Sequence, residues 1–281
     1  MPVGSERKTA ETRVKEEMHS MDSEAVLVRR EANETRITIN RPDRRNALNR
    51  EVAEQIIAGI AQAEADPECR VIVLTGAGDQ AFCAGGDIKA GADGGPFILD
   101  PAQPGHFAGQ LFEALDVCRK PTIARVNGAA VGGGAGIVCA CDLAVMADHA
   151  RIGTPEVKIG LFPMTIIPPM MRVLPRRKLV EMFLTGVPLT AEEALRYNVV
   201  NYVTDAAGLD AKVAELVALI SAQSPTAIRL GKYGYQAMAD MTFPQQMRLG
   251  ETLLPRVAQT EDAREGFAAF IEKRKPNWTG R

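Results

Sequence analysis

Histidine is scarce in this chain. Three residues, His19, His106 and His149, are scattered over 281 positions, and none sits in a glycine-rich motif. A mechanism built on an imidazole base therefore has few places to stand. Neither charge is in surplus: 33 Lys and Arg oppose 35 Asp and Glu, a formal net charge of −2. That balance gives no support for binding nucleic acid or an anionic membrane surface. No apolar run reaches the roughly 18 residues that a membrane span needs. Residues 1–24 carry four Lys or Arg and six Asp or Glu. They lack the apolar stretch of about 7–15 residues found in a signal peptide, and are expected to form a disordered leader.

The five cysteines, Cys69, Cys83, Cys118, Cys139 and Cys141, are odd in number and widely spaced. They read as buried thiols in a reducing compartment, the cytoplasm, and not as a disulfide framework. Cys139 and Cys141 lie two apart, but no second Cys or His pair completes tetrahedral ligand spacing, so no metal is expected. A G-x-x-x-x-G-K-[ST] loop and a G-x-S-x-G elbow are both missing, which excludes a P-loop and the usual hydrolase nucleophile.

What is present is a chain 46% hydrophobic and 24% charged, enough for a sizeable core. Strands are expected at Ala25–Arg29 and Thr35–Asn40, the second alternating polar and apolar residues. Asn49 is placed to cap a helix running to about Glu64. Further strands are expected at Val71–Leu74, Thr122–Val126, Leu143–Met146 and Val199–Val203. Helices are expected near Phe107–Cys118, after the glycines at 132–134, and at about 207–222, 225–239, 243–258 and 261–274, with a Gly, Pro and Asp-rich loop over 91–105. Strands alternating with helices and then helices alone predict an α/β core over residues 25–206 with an α-helical region at 207–281.

Gly76-Ala77-Gly78-Asp79-Gln80-Ala81 fits the dinucleotide pattern G-x-G-x-x-G/A. The pattern also needs a helix to open there and an acid about 20 residues on at a strand end. The acid at that distance, Asp100, lies in the Pro-rich loop, so a nicotinamide or flavin enzyme is disfavoured. Two other glycine-rich segments follow expected strands, AFCAGGDIK at 81–89 and NGAAVGGGAG at 127–136. Glycine lets a ligand approach the backbone closely, and the second segment also opens a helix, whose first N–H groups lack internal partners. Two such amides aimed at one carbonyl oxygen would form an oxyanion hole. The alternative is close packing at tight turns.

The order of these pieces resembles the crotonase, or enoyl-CoA hydratase/isomerase, superfamily. The matching segments are NRPDRRNALN (40–49), AFCAGGDIK (81–89), ARVNGAAVGGGAG (124–136), CDLAVMA (141–147), GTPEVKIGLFP (153–163) and EGFAAFIEKRKPNWTGR (265–281). The resemblance implies a ββα spiral core with a C-terminal helical trimerisation region. It also implies an acyl-CoA substrate and assembly as a homotrimer or a dimer of trimers. No cofactor beyond the coenzyme A of the substrate is implied.

By the same resemblance the oxyanion hole uses the N–H groups of Gly86 and Gly133. Ala84, Asp87 and Ile88 would contact the adenine and pantetheine of coenzyme A, with Arg44 and Arg45 near its phosphates and Ala47 also among the CoA-binding residues. Phe270 and Lys273 would approach the nucleotide from a neighbouring subunit. From their place in the sequence, Phe162, Met164, Ile166 and Ile167 would line the acyl pocket or, equally, belong to the core. The chain departs from the family's hydratases in one respect. They carry two glutamates, and Gly136 stands where the first belongs; the second is Glu156, in Thr154-Pro155-Glu156. A single carboxylate beside an oxyanion hole suits a double-bond shift better than addition of water. Leu161, Phe162 and Met164 are close enough in sequence to raise its pKa. Hydration stays open if Glu156 serves both proton transfers, or if Asp93, Asp100 or His106 folds over the site. Decarboxylation, thioester hydrolysis and a degenerate acyl-CoA binder are the remaining alternatives.

Overall fold

A computed structural model describes residues 24–88 and 105–281. The leader expected over residues 1–24 falls almost wholly outside the described residues, as do most of the 91–105 loop, Asp93 and Asp100. The strands are β1 (Val26–Glu31), β2 (Glu34–Ile39), β3 (Val71–Gly76), β4 (Ala81–Cys83), β5 (Thr122–Val126), β6 (Ala129–Val131), β7 (Leu143–Ala147), β8 (Arg151–Gly153), β9 (Leu189–Thr190) and β10 (Tyr202–Thr204). The helices that matter below are α1 (Arg50–Ala65), α2 (Phe107–Val117) and α3 (Gly133–Ala140).

The alternation in β2 buries Thr35, Ile37 and Ile39 and leaves Arg36 and Thr38 half-buried, as a strand with one core face requires. β1 pairs with it as an antiparallel hairpin, and β3, β5, β7 and β10 follow in parallel to give a six-stranded sheet. β3 is buried at all six positions, the pattern of a parallel strand covered on both faces. The short strands β4, β6, β8 and β9 form a second sheet of four, packed where the glycine-rich segments leave the first. α1 opens as its sequence predicts: the Asn49 side chain accepts a hydrogen bond from the Val52 N–H at 2.9 Å. Its apolar face, Val52, Ala53, Ile56 and Ile60, joins the core.

The helix Leu209–Ser221 packs on the large sheet and buries Leu209, Val213, Leu216 and Val217 in that same core. Beyond it the helices Pro225–Met238, Phe243–Ala258 and Glu261–Glu272 close the chain, and the middle one buries no residue within the single chain. Lys232 ties them to the core, its Nζ donating to the Asp142 carboxylate (2.6 Å) and the Lys120 carbonyl (2.9 Å), and one carboxylate holds their ends together. Asp262, 1% exposed, accepts from the Ser224 hydroxyl (2.7 Å) and from the N–H groups of Thr279 (2.7 Å), Gly280 (3.1 Å) and Thr226 (3.4 Å). Four cysteines, Cys69, Cys83, Cys118 and Cys139, are buried, and Cys141 is half-buried; all five are free thiols. Burial pushes the thiols of Cys118 and Cys139 up to about 11 and about 12. Among the described residues no helix is long and apolar enough to cross a membrane.

Candidate active site

β4 and β6 run parallel, with Ala81 opposite Ala129 and Cys83 opposite Ala130, so the two glycine-rich segments leave neighbouring strands together. They meet through glycines. At Gly85, φ is +88°, and a Cβ built there would lie 3.0 Å from the Val131 carbonyl oxygen. At Gly132, the N-cap of α3, φ is +55° and ψ −119°, and a Cβ would lie 3.5 Å from the Gly85 Cα. Both conformations favour glycine, and neither site has room for a side chain.

Leu48 links the two amides expected to matter. It forms an isolated parallel bridge with Gly86: its N–H donates to the Gly85 carbonyl (2.7 Å) and its carbonyl accepts from the Asp87 N–H (2.8 Å). Such a bridge uses the groups on either side of Gly86, which turns the Gly86 N–H away from Leu48. No acceptor meets that N–H among the described residues. The Leu48 side chain reaches the other segment, where a Cβ on Gly133 would lie 2.8 Å from Leu48 Cδ1. Gly133 is the first residue of α3, so its N–H has no partner within the helix.

Glu156 comes to the same place. It opens a short 3-10 turn, Glu156–Ile159, just after β8, and the Gly132 N–H donates to the Gly153 carbonyl of that strand at 2.8 Å. A Cβ on Gly132 would lie 2.7 Å from Glu156 Oε1, so the carboxylate rests directly against the N-cap of α3. Oε2 is buried and has no hydrogen-bond partner among the described residues; neither has the buried Thr154 hydroxyl. Burial raises the Glu156 pKa above the ordinary carboxylate range, opposed only in part by a hydrogen bond from its own backbone.

A polar frame fixes the loops. Asn46, 1% exposed at φ +55°, donates to the carbonyls of Ala77 (3.0 Å) and Ala81 (2.7 Å) and accepts from the Arg41 N–H. Asn127 donates to the carbonyls of Gly76 (2.9 Å) and Gly78 (2.7 Å) and accepts from the Gly76 N–H (3.2 Å). Gly76-Ala77-Gly78 is thus pinned by a buried asparagine and followed by β4, not by the helix a dinucleotide site needs. Beneath, the Cys83 thiol is pushed up to about 12 by burial.

The other expected residues fall as follows. Arg44 and Arg45 are exposed on the turn before Asn46, and the Arg45 carbonyl accepts from the Ala84 N–H at 3.0 Å. Ala47 is buried, and its carbonyl accepts from Arg41 Nη1 (2.7 Å). The Asp87 carboxylate, 7% exposed, is taken by Arg41 Nη2 (2.8 Å), so this side chain braces the loop. Ile88 is 57% exposed, and Met164 69%. Phe162 stands edge-on to Phe183 with ring centroids 5.6 Å apart. Phe270 lies exposed on the last helix, and Lys273 caps that helix in the left-handed conformation. His106 is a helix cap: its Nδ1 accepts from the Ala108 N–H at the start of α2, and its ring stacks on Phe107. Gly136 is buried, and a Cβ there would lie 2.5 Å from Phe112 Cζ. Sequence reading passed over Leu48, Arg41, Asn46 and Asn127 as site residues; their signal was limited to falling inside the quoted motifs.

The family model for enoyl-CoA hydratase/isomerase matches residues 29–281. The chain is 35% identical over 262 residues to the Mycobacterium tuberculosis protein named "Probable enoyl-CoA hydratase echA8", covering 93% of this chain and 100% of the relative. It is 37% identical over 267 residues to a carnitinyl-CoA dehydratase of Escherichia coli, covering 92% and 100%. Among solved structures, an enoyl-CoA hydratase from Mycobacterium tuberculosis superposes with a TM-score of 0.82 at 32% identity, over 92% of this chain and 99% of that one. Two glycine loops joined at Gly85 and Gly132, a half-buried carboxylate against them and a match over nearly the whole described chain lead to one assignment: the chain belongs to the enoyl-CoA hydratase/isomerase family.

Proposed function

We propose that the protein moves the double bond of an enoyl-CoA by proton transfer at the α-carbon, with Glu156 as the acid/base and the enolate oxygen held by the N–H groups of Gly86 and Gly133. The observation that carries this reading is the half-buried Glu156 carboxylate, whose Oε2 is buried with no hydrogen-bond partner among the described residues and whose Oε1 rests on Gly132, next in the chain to Gly133. Removing a proton α to a thioester builds negative charge on the carbonyl oxygen. Each backbone donor aimed there is worth about 3–4 kcal/mol in the transition state. The raised pKa of Glu156 moves it towards the pH at which it must both take and return a proton. Glu156 takes the proton from the α-carbon of a 3-enoyl thioester and returns it at the γ-carbon, leaving the double bond conjugated with the carbonyl. Coenzyme A serves only as the handle of the substrate, held by Arg44, Arg45, Ala47, Ala84, Asp87 and Ile88. Phe162 and Met164 flank the acyl chain. Phe270 and Lys273 act from a neighbouring subunit of a trimer. The reaction takes place in the cytoplasm and uses no metal or redox group.

A second reading, addition or removal of water, is favoured by the names of the relatives, which include a hydratase and a carnitinyl-CoA dehydratase. Incubation with trans-2- and trans-3-hexenoyl-CoA separates the two readings, because hydration adds the mass of one water and migration adds none. Migration is expected, falling about 10²–10⁴-fold in Glu156→Gln. An unchanged rate in that variant sinks the role of Glu156. No turnover of either substrate, alongside CO2 release from a malonyl-type thioester, favours the decarboxylase alternative.

A further inference from the structure

Two peptide units stand in line behind the Gly86 N–H. In a planar trans peptide the carbonyl and the N–H point in opposite directions, so holding the one aims the other. The Gly85 carbonyl, in the same peptide unit as the Gly86 N–H, accepts from the Leu48 N–H at 2.7 Å. The Ala47 carbonyl, in the same unit as the Leu48 N–H, accepts from Arg41 Nη1 at 2.7 Å. A guanidinium therefore heads a hydrogen-bonded chain that ends at the Gly86 N–H. The cation has little freedom of its own. Its main chain is locked into the turn after β2: the Arg41 N–H donates to Asn46 Oδ1 (3.0 Å), and its carbonyl accepts from the N–H groups of Arg44 (2.9 Å) and Asn46 (2.8 Å). Its second arm, Nη2, donates to Asp87 Oδ2 at 2.8 Å, in a pair whose side chains are 19% and 9% exposed and so weakly screened by salt.

We propose that Arg41 is a positioning residue of the oxyanion hole: through the peptide units Ala47–Leu48 and Gly85–Gly86, its guanidinium aims and polarises the Gly86 N–H. This rests on the enolate reading above. As the α-proton leaves, negative charge gathers on the thioester oxygen, and each hydrogen bond in the chain behind the donor strengthens the next. Asp87 anchors the chain at two points. Its carboxylate holds the guanidinium, and its N–H donates to the Leu48 carbonyl at 2.8 Å, which keeps the middle of the chain in register. The Gly133 N–H has a different support, since it opens α3 and draws on the helix N-terminus. Of the two donors, only Gly86 is backed by a side chain that one substitution can remove.

The test compares wild type with Arg41→Met, Arg41→Lys and Lys120→Met. Methionine keeps the apolar stem without a donor, and lysine keeps the charge but lacks the fork that spans both acceptors. Lys120→Met is the stability control, because Lys120 Nζ also grips two main-chain carbonyls, those of Ala63 and Asp66, at the far end of α1. Carbonyl polarisation is read from the red shift of bound 4-dimethylaminocinnamoyl-CoA, and turnover from exchange of the α-protons of hexanoyl-CoA in D2O. Arg41→Met is expected to lose roughly half of the red shift and to exchange about 10–30-fold more slowly, with KM within about threefold of wild type. Arg41→Lys is expected to fall between the two, and it decides by the same readings should the methionine variant not fold. A merely structural brace would lower stability and leave the red shift and exchange of the folded protein unmoved, as Lys120→Met should. That result in the Arg41 variants overturns the proposal, as does an equal change in Lys120→Met. Absence of exchange in wild type refutes the enolate reading itself, whereas exchange present and unmoved in the Arg41 variants refutes only the role of Arg41.

Discussion

Replacing Gly132 by alanine tests the contact on which the site depends. Two effects follow from the geometry. The backbone at Gly132 has φ +55° and ψ −119°, outside the regions open to a residue with a Cβ, and holding alanine there costs about 1–3 kcal/mol. The new methyl also meets Glu156 Oε1 at 2.7 Å, where ordinary contact begins at 3.4 Å, so the carboxylate must retreat by about 0.7 Å. The nearest backbone atom, the Gly85 Cα, is 3.5 Å away, so the side chain yields and the loop stays. A shift of that size in a reacting group costs on the order of 10²-fold in rate. Gly132→Ala is therefore expected to fold, to lose about 1–3 kcal/mol in urea unfolding and to exchange the α-protons of hexanoyl-CoA roughly 30–100-fold more slowly. Gly109→Ala, where a methyl meets open space, is the control. Exchange within twofold of wild type, in a variant destabilised as expected, would refute the claim that Gly132 and Glu156 work as a pair.

Other expectations follow from the same contacts. Asn127→Ala strands the buried carbonyl of Gly76 and releases that of the exposed Gly78, and a loss of about 1–3 kcal/mol in urea is expected; a change under about 0.5 kcal/mol would contradict the clamp. Burial works against the Asp262 carboxylate, but hydrogen bonds from Ser224, Thr279, Gly280 and Thr226 outweigh it and hold its pKa below the ordinary value. Its folded pKa being depressed, its contribution is full above the unfolded value near pH 4 and fades as pH falls through the lower folded one. The gap in stability between wild type and Asp262→Ala is therefore expected to be open at pH 7 and to narrow on acidification below about pH 4. A gap independent of pH would contradict this. Glu156 carries the opposite sign. Its raised pKa means that ionising it costs stability as pH rises from the unfolded value through the folded one, so Glu156→Gln should be more stable than wild type at pH 7 and equal near pH 3. The acid limb of kcat/KM should likewise lie above the value near 4.3 of an ordinary glutamate.

The large sheet and α1 were legible because their signals are local: alternation in β2, an apolar run in β3 and a capping asparagine at position 49. The second sheet was not. Its strands are two or three residues long, and β4 and β6 adjoin glycine-rich runs, so neither alternation nor β-propensity has room to show. The strand expected at Val199–Val203 forms only from Tyr202, because Val199 and Val200 turn their N–H groups to the Ala194 carbonyl and close the preceding helix. In the site, Glu156 and the two glycine segments came from motif order. Asp87, expected to meet the ligand, also braces the loop through Arg41, a partner 46 residues earlier whose pairing no local pattern announces. Phe112 gave no signal at all, since only the packing of α2 on α3 brings it over Gly136.

The cysteines, scattered and without a chemical task in the reaction, give the molecule a set of internal clocks. A thiol alkylates only as thiolate. Cys83, Cys118 and Cys139 are buried, with pKa values near 12, 11 and 12. Modification must therefore wait for the surrounding element to open, and its rate reads the free energy of that opening. Cys83 keeps time for the two glycine loops, Cys139 for α3 and Cys118 for the end of α2. Peptide masses after timed exposure to iodoacetamide would separate motion at the catalytic loops from unfolding of the helices around them, with no label added to the protein.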